Sequence, residues 1–336
     1  MSSSTIRQAA FGVALCVAAP ALWALPTLYH LQDLGANSEA VRINAKGQAA
    51  GTDTTGGQHH AAIWTDGVMS RLGHPHTEGD AYGLNTAGVV VGVASTGYGE
   101  ASLWTRSGNL KNLDRGFAGS EATAINDKRD CVINGAVDAE TLVAYLAPGC
   151  HPSNLVQIGA YLRGVAINAN DQVALTDQAF DDRHRADLYT NDGLLQDLGV
   201  LTGYSQSFAS DLNFGGHVVG TSSDGVYDLR EGFFWNGRKL LKVGTLGGKR
   251  SEARGVNVYD VVVGSAQTRK GAWHPFVRDM RAVDSRAEDL QTMLDSSGAG
   301  WSLTEALSIN KSGQILVHGT APGDSNPRSA ILTPVD

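Results

Sequence analysis

An all-β fold is what the repeat structure of this chain specifies: a seven-bladed β-propeller of four-stranded antiparallel blades, its ring closed by the N-terminal strand completing the C-terminal blade. An aliphatic residue followed by Asn recurs at Ile43-Asn44, Leu84-Asn85, Ile125-Asn126, Ile167-Asn168, Leu212-Asn213, Val256-Asn257 and Ile309-Asn310. Successive Asn residues are 41, 41, 42, 45, 44 and 53 positions apart, the length of a four-stranded blade rather than of a helical repeat. The composition agrees. With 41 glycines and 18% charged residues among 336, the chain is built for tight turns between short strands and not for long helices.

Each unit has the same order of parts. A small residue stands four positions before the Asn (Ala40, Ala81, Ala122, Gly164, Ala209, Ala253, Ala306), as crowding of the inner strands around a central channel requires. The Asn then opens a turn, with Gly at the fourth position in four units (Gly47, Gly88, Gly216, Gly313). That pairing suits a type I turn, because the Asn side chain accepts a hydrogen bond from the backbone two residues on. A short β-branched second strand follows, as in Val89-Val90-Val91-Gly92, Val218-Val219-Gly220 and Val261-Val262-Val263-Gly264. The third strand ends on a large residue about twenty positions past the Asn: Trp64, Trp104, Leu146, Tyr189, Trp235, Val277 or Arg278, and Leu332. After a turn such as Asp66-Gly67, the fourth strand closes on an aliphatic residue beside Gly or Asp: Leu72-Gly73, Leu113-Asp114, Ile158-Gly159, Leu198-Gly199, Val243-Gly244 and Asp289-Leu290.

The fourth-strand signal is offset by one unit. The last unit stops at Asp336 without it, while a spare copy, Asp33-Leu34-Gly35, precedes the first unit. Moving the spare strand into the last blade closes the ring and removes its edge; a β-solenoid would gain nothing from such an exchange. Residues 284–301 lengthen the sixth unit. Within them, residues 288–294 predict a helical turn with Leu290, Met293 and Leu294 on one side, a packing insert near the closure.

The first 24 residues predict a secretory signal peptide. Arg7 is followed by an apolar run to Trp23 and by small residues at Ala19, Ala21 and Ala24, a run too short for a stable membrane span. Cys16 follows Leu15, a poor lipobox. Residues 25–336 are then one propeller domain, secreted or periplasmic and free of membrane attachment after cleavage. A net charge of −8 leaves no basic footprint for phosphates, which argues against nucleic acid as a partner.

After cleavage two cysteines remain. Cys131 opens a second strand and Cys150 follows the third, with the hairpin turning near residues 138–141, so a Cys131–Cys150 disulfide is expected in an oxidising compartment. Two free buried thiols are the alternative.

The units resemble the bacterial HAF-repeat family of extracellular repeat proteins, whose pattern runs Ala-x-x-Ile-Asn-x-x-Gly-x-Val-Val-Gly, then His-Ala-Phe-Leu-Trp, then Asp-Leu-Gly. Here His60-Ala61-Ala62-Ile63-Trp64 carries the middle part most fully, with Glu231-Gly232-Phe233-Phe234-Trp235 and His274-Pro275-Phe276 as looser copies. Units three and four depart most: Cys131-Val132-Ile133 and Val173-Ala174-Leu175 replace Val-Val-Gly, and Arg129 and Asp171 replace the turn Gly. The resemblance spans the mature chain and implies secretion and a propeller-like fold. It brings no established activity.

No nucleophile elbow, zinc-protease helix or phosphate loop occurs. His59-His60 and His74-Pro75-His76 are close enough for metal ligation, but neither pair has a nearby Cys or ordered carboxylate set, so no metal or cofactor is expected. An acidic residue precedes the small residue in five units, Glu39, Asp80, Glu121, Glu252 and Glu305, while Arg163 and Phe208 break the series. Gathered at a channel mouth, bare carboxylates would attract cations; paired with neighbouring cations, they would not. Propeller topology puts the second-to-third-strand loops and the blade connections on one face. This candidate binding face holds His74, His76, Glu78, Arg115, Tyr204, Arg250 and Trp301, since function concentrates on variable loops over a rigid scaffold. The expected function is a secreted non-catalytic scaffold or binding module for a protein or glycan partner. A lectin-like multivalent sugar binder, or a carbohydrate-active lyase or hydrolase using His74, His76 and Glu78 at the channel mouth, are the alternatives.

Overall fold

The structure is a computed structural model that describes residues 25–74, 77–95, 99–178, 183–225 and 229–335. Residues 1–24 and His76 lie outside this set. Among the described residues, twenty-eight strands form seven four-stranded antiparallel sheets. From channel to rim, blade one runs Ser38–Ile43, Ala49–Asp53, His60–Thr65 and Val68–Arg71, and the next five blades repeat that order. The seventh comprises Ser302–Ile309, Ile315–Thr320, Arg328–Val335 and, on its outer edge, the N-terminal strand Leu28–Asp33, paired with Leu31 opposite Leu332. The ring therefore closes by the exchange that the offset predicts.

Every inner strand carries a β-bulge just after its small residue, for instance between Ala40 and Arg42 and between Ala209 and Asp211. In four blades the residue opposite the small one is the glycine of Val-Val-Gly or its equivalent: Gly51, Gly92, Gly220 and Gly264. A Cβ at Gly92 would lie 1.9 Å from the carbonyl oxygen of Asp80. Small residue and glycine are thus two halves of one device, a bulge that re-aims the inner strand. Blades three, four and seven place Ile133, Leu175 and Val317 at that position instead.

The cores lie between blades. Ala40, Ile43 and Trp64 of blade one pack against Leu316 and Ile331 of blade seven, so each seam buries the apolar faces of two sheets. Two polar clamps hold these seams. Toward the loop face, serine hydroxyls take backbone N–H groups from the preceding blade: Ala101 N–H donates to Ser120, Ala186 to Ser207, Gly232 to Ser251 and Ser329 to Ser38.

The second clamp lies on the opposite face, among the Asn turns. Each Asn side chain accepts from its own turn, as in Lys46 N–H and Gln48 N–H to Asn44 Oδ1. Its Nδ2 then donates to the backbone carbonyl of the next blade's Asn: 44 to 85, 85 to 126, 126 to 168, 168 to 213, 213 to 257, 257 to 310 and, across the closure, 310 to 44. Seven amides form a closed hydrogen-bonded circle. The fourth turn residue keeps a positive φ even where glycine is absent, at Arg129 (72°), Asp171 (59°) and Asp260 (56°). At Asp171 and Asp260 the carboxylate accepts a further bond from the preceding blade's Asn, at 2.9 and 2.8 Å, offsetting the cost of a left-handed non-glycine residue.

The insert in the sixth unit packs as expected. A 3₁₀ turn, Leu290–Met293, buries Leu290 and Met293 and is capped by Asp289, which accepts from Gln291 N–H. The chain then passes beside the closing strand, where Asp295 N–H donates to Tyr29 O and Leu31 N–H to the Ser297 hydroxyl.

Cys131 and Cys150, 19 positions apart in sequence, are joined as a disulfide with Cα atoms 5.1 Å apart. Both are fully buried. Replacing both by Ala is expected to lower stability by about 3 kcal/mol, the value for a loop of this size, read as an earlier urea midpoint. Unchanged midpoints in wild type and variant under non-reducing conditions would show that the bond contributes nothing.

In blade four Asp187 stands directly opposite Asp197 and is 6% exposed. Burial first, then the Asp197 and Asp177 carboxylates, push its pKa from 3.8 up to about 7. The folded chain thus retains a proton that the unfolded chain releases, so this group's contribution is complete below pH 3.8 and is lost as pH rises to about 7. Asp187→Asn should flatten that decline in the unfolding free energy between pH 4 and 8. A variant whose profile parallels the wild type would refute the assignment.

Candidate functional site

Because of the bulge, the residue after each small one faces the channel: Val41, Tyr82, Thr123, Val165, Ser210, Arg254 and Leu307 surround one cavity. The next position is small in five blades (Gly83, Ala124, Ala166, Gly255, Ser308) and charged in the other two, Arg42 and Asp211. These two belong to blades one and five and meet across the lumen. Arg42 Nη1 lies 3.7 Å from Asp211 Oδ1, and Nη2 donates to Ser210 O at 3.3 Å. Burial raises the pKa of Asp211, opposed by Arg42 and by the N–H of Val256, which donates to Oδ2 at 3.1 Å. The pair crosses the channel beneath the loop-face vestibule.

Above it, on the blade four to six side, the vestibule widens to a cavity of about 790 Å³. It opens where the acidic series breaks. Arg163 and Phe208 replace the carboxylates of blades four and five, and both line the cavity with Arg230, Glu252 and Arg254. Arg163 grips Glu121 with Nε and Nη2 at 2.8 and 3.1 Å, a forked pair whose geometry only guanidinium provides. Glu252 is shared: Oε1 accepts from Arg230 at 2.5 Å and Oε2 from Arg254 at 2.6 Å. Phe208 is half-buried and meets the His184 ring at 5.2 Å with the planes tilted by 43°, and His184 Nδ1 donates to Asp177 O at 2.8 Å. A second depression of about 310 Å³, lined by Arg250, Trp273 and Glu305, shares Arg230 and Glu252 with the first. The two form one groove over blades four to seven.

Of the five acidic positions, Glu252 and Glu305 line the two depressions, and four of the five carry partners. Asp80 accepts from the Thr52 hydroxyl at 2.7 Å and meets His59 at 2.9 Å, which raises the pKa of His59. Glu121 and Glu252 hold the arginines described above, and His318 holds the Glu305 carboxyl below the usual range. Glu39 is exposed. The cation-attracting field of a bare ring is therefore largely cancelled by neighbouring cations.

The predicted binding face divides. Arg250 lines the groove. His74 and Arg115, on the connections leading into blades two and three, and Glu78, at the start of the inner strand of blade two, are exposed and absent from its lining. Tyr204 packs against the blade-five core, donates to Glu231 at 3.2 Å and carries the Lys242 ammonium over its ring at 5.7 Å. Burial, then Glu231, push its pKa up to about 12. Trp301 is a correction: at 8% exposure it belongs to the core beneath the insert, with Arg328 over its ring at 5.6 Å, so it offers no face to a ligand. His60 is likewise 3% exposed and donates to Thr77 O. Among the described residues no three His, Cys, Asp or Glu side chains converge as a metal site.

No protein-family model matches the chain, and no curated protein matches it in sequence. Solved structures match in fold. A streptogramin B lyase is similar with a TM-score of 0.55 at 10% identity, over 91% of this chain and 98% of its own. A prolyl endopeptidase gives 0.54 at 9% identity over 89% of this chain and 48% of its own. The acylaminoacyl peptidase of Pyrococcus horikoshii gives 0.52 at 10% over 93% and 53%. The chain thus spans about half of each peptidase. At such identities the likeness is one of fold, and site chemistry rests on the residues themselves.

Proposed function

We propose that this chain is a non-catalytic β-propeller binding module of the HAF-repeat type, exported to the periplasm or beyond, that captures a protein or glycan partner in the vestibule and groove of its loop face. One observation carries this: a cavity of about 790 Å³ opens where Arg163 and Phe208 interrupt a series otherwise repeated around the ring. A scaffold built of equivalent units departs from its pattern where a ligand is recognised. Export is supported by the signal-like N-terminus and by the buried disulfide, which persists in oxidising compartments. The ion pair of Arg42 and Asp211 crosses the channel beneath the vestibule, which suits retention rather than passage.

The test is a screen of the mature chain against immobilised glycans and against extracytoplasmic proteins, repeated with Phe208→Ala. Capture lost in the variant supports the vestibule as the binding site, and capture that persists at full strength moves the site elsewhere. Turnover of a captured glycan, abolished by His74→Ala, would replace the binding module by the enzyme alternative.

A further inference from the structure

The groove's chemistry narrows the partner. Arg230 and Arg254 converge on Glu252 with one contact each, at 2.5 and 2.6 Å. A guanidinium has five N–H donors, so a single contact with Glu252 leaves further donors on both arginines, with Asp224 and Glu305 as the other carboxylates lining the groove. A second carboxylate is the partner that completes this arrangement, bound as charge-assisted pairs. In a chain of net charge −8, an acidic ligand is held by this local arrangement against the overall field.

The rest of the groove is not shaped for apolar side chains. Gln178, Ser210, Thr221 and Ser223 present hydroxyls and an amide around the vestibule, while the aromatic surfaces are two separated rings, Phe208 in the vestibule and Trp273 in the adjoining depression. Separated flat rings among many small polar groups match the alternating apolar faces and hydroxyl edges of sugar rings. A peptide would instead need pockets for its anchoring side chains. Continuity from Phe208 past Arg230 and Glu252 to Trp273 fits a chain of several units rather than a single sugar.

We propose that the groove binds a uronate-bearing oligosaccharide, its carboxylate set between Arg230 and Arg254 and sugar faces resting on Phe208 and Trp273. This rests on the binding-module function proposed above. The test is calorimetric titration of the mature chain with oligomers of galacturonate, glucuronate and mannuronate, with carboxyl-reduced counterparts of the same linkage, and with Asp- and Glu-rich peptides. At least one uronate oligomer should bind, its carboxyl-reduced form at least tenfold more weakly. Arg254→Gln should weaken the acidic ligand at least tenfold with an unchanged unfolding midpoint, and Trp273→Ala should weaken longer oligomers more than short ones.

Equal binding of acidic and reduced oligomers would overturn the role of the carboxylate while leaving a glycan-binding module. Binding of acidic peptides and no uronate oligomer would overturn the glycan class while leaving the vestibule as a binding site. Ligand capture unaffected by Arg254→Gln, Phe208→Ala and Trp273→Ala alike would overturn both the groove and the binding-module proposal.

Discussion

A chain shortened to begin at Ala36 is expected to lose its single cooperative unfolding transition and to elute from a sizing column as aggregate. The shortened chain lacks the whole closing strand, and with it the six-residue pairing from Leu28 opposite Val335 to Asp33 opposite Ala330. Two buried side chains go too. Tyr29 is 0% and Leu31 5% exposed, both in one core with Leu290, Leu303, Val317 and Leu332, and removal of one such side chain costs about 2–5 kcal/mol. The next seam suffers as well, because Trp64 Nε1 donates to Leu34 O and Leu34 N–H to Ser329 O. Together these losses match the roughly 5–15 kcal/mol that holds a typical domain folded, and they leave Arg328–Val335 as an unprotected edge. Leu31→Ala is the graded companion, expected to lower the urea midpoint by the equivalent of about 3 kcal/mol with one transition retained. A shortened chain with the wild-type midpoint would show that the seventh blade stands without its fourth strand.

That dependence on one distant strand was legible in the sequence, and the reason is physical. Strand count, turn position and strand order each leave a local mark: Asn at the turn, a small residue four positions earlier, Leu34-Gly35 where a fourth strand ends. Counting those marks is enough to find the missing strand. The disulfide was legible for the same reason, since Cys131 and Cys150 flank one hairpin. The groove was not. Arg163, Phe208, Arg230, Glu252 and Trp273 come from three blades and five strands, and only the bulge geometry and ring curvature bring them together. A partial signal existed, because Arg163 and Phe208 stand where five units have a carboxylate. They read as defects in a ring, whereas in the structure they line the vestibule cavity. Trp301 failed in the other direction. Its place after a loop predicts exposure, but the insert folds back beneath the closing strand and buries it. The ion pair across the channel also escaped notice, since Arg42 and Asp211 gain meaning only once blades one and five face each other across the lumen.

The Asn residues pose the subtler case, and Asn85→Asp decides it. Both Asn and Asp form the turn equally well, because each offers a side-chain oxygen to the backbone; here Asn85 Oδ1 accepts from Val89 N–H at 3.0 Å. They differ in the second atom. Asn85 Nδ2 donates to Asn126 O at 3.2 Å, whereas a carboxylate would face that carbonyl with an oxygen, at a position 3% exposed. If the motif served the turn alone, the substitution would be nearly neutral. With the amide circle in place it leaves an uncompensated buried charge, an effect of about 4 kcal/mol, and Asn85→Ala, which leaves Val89 N–H unpaired and removes the cross-blade bond, costs about 3 kcal/mol. The charge gives the aspartate variant a pH signature. Burial raises its carboxyl pKa in the folded state, so the folded form binds the proton more tightly, and stability returns as pH falls through that raised value. A protonated carboxyl can also donate to Asn126 O. Urea midpoints of Asn85→Asp at pH 7 and pH 5 should therefore differ far more than those of Asn85→Ala. Near-wild-type stability of the aspartate variant at pH 7 would return the seven asparagines to a turn-forming role only. The sequence carries a hint of the outcome: the turn's fourth residue varies among Gly, Arg129, Asp171 and Asp260, while the Asn does not vary in any of the seven units. A residue needed only for its turn would tolerate Asp or Ser in some of them, and one whose amide hydrogens bind the next blade has no substitute of its size.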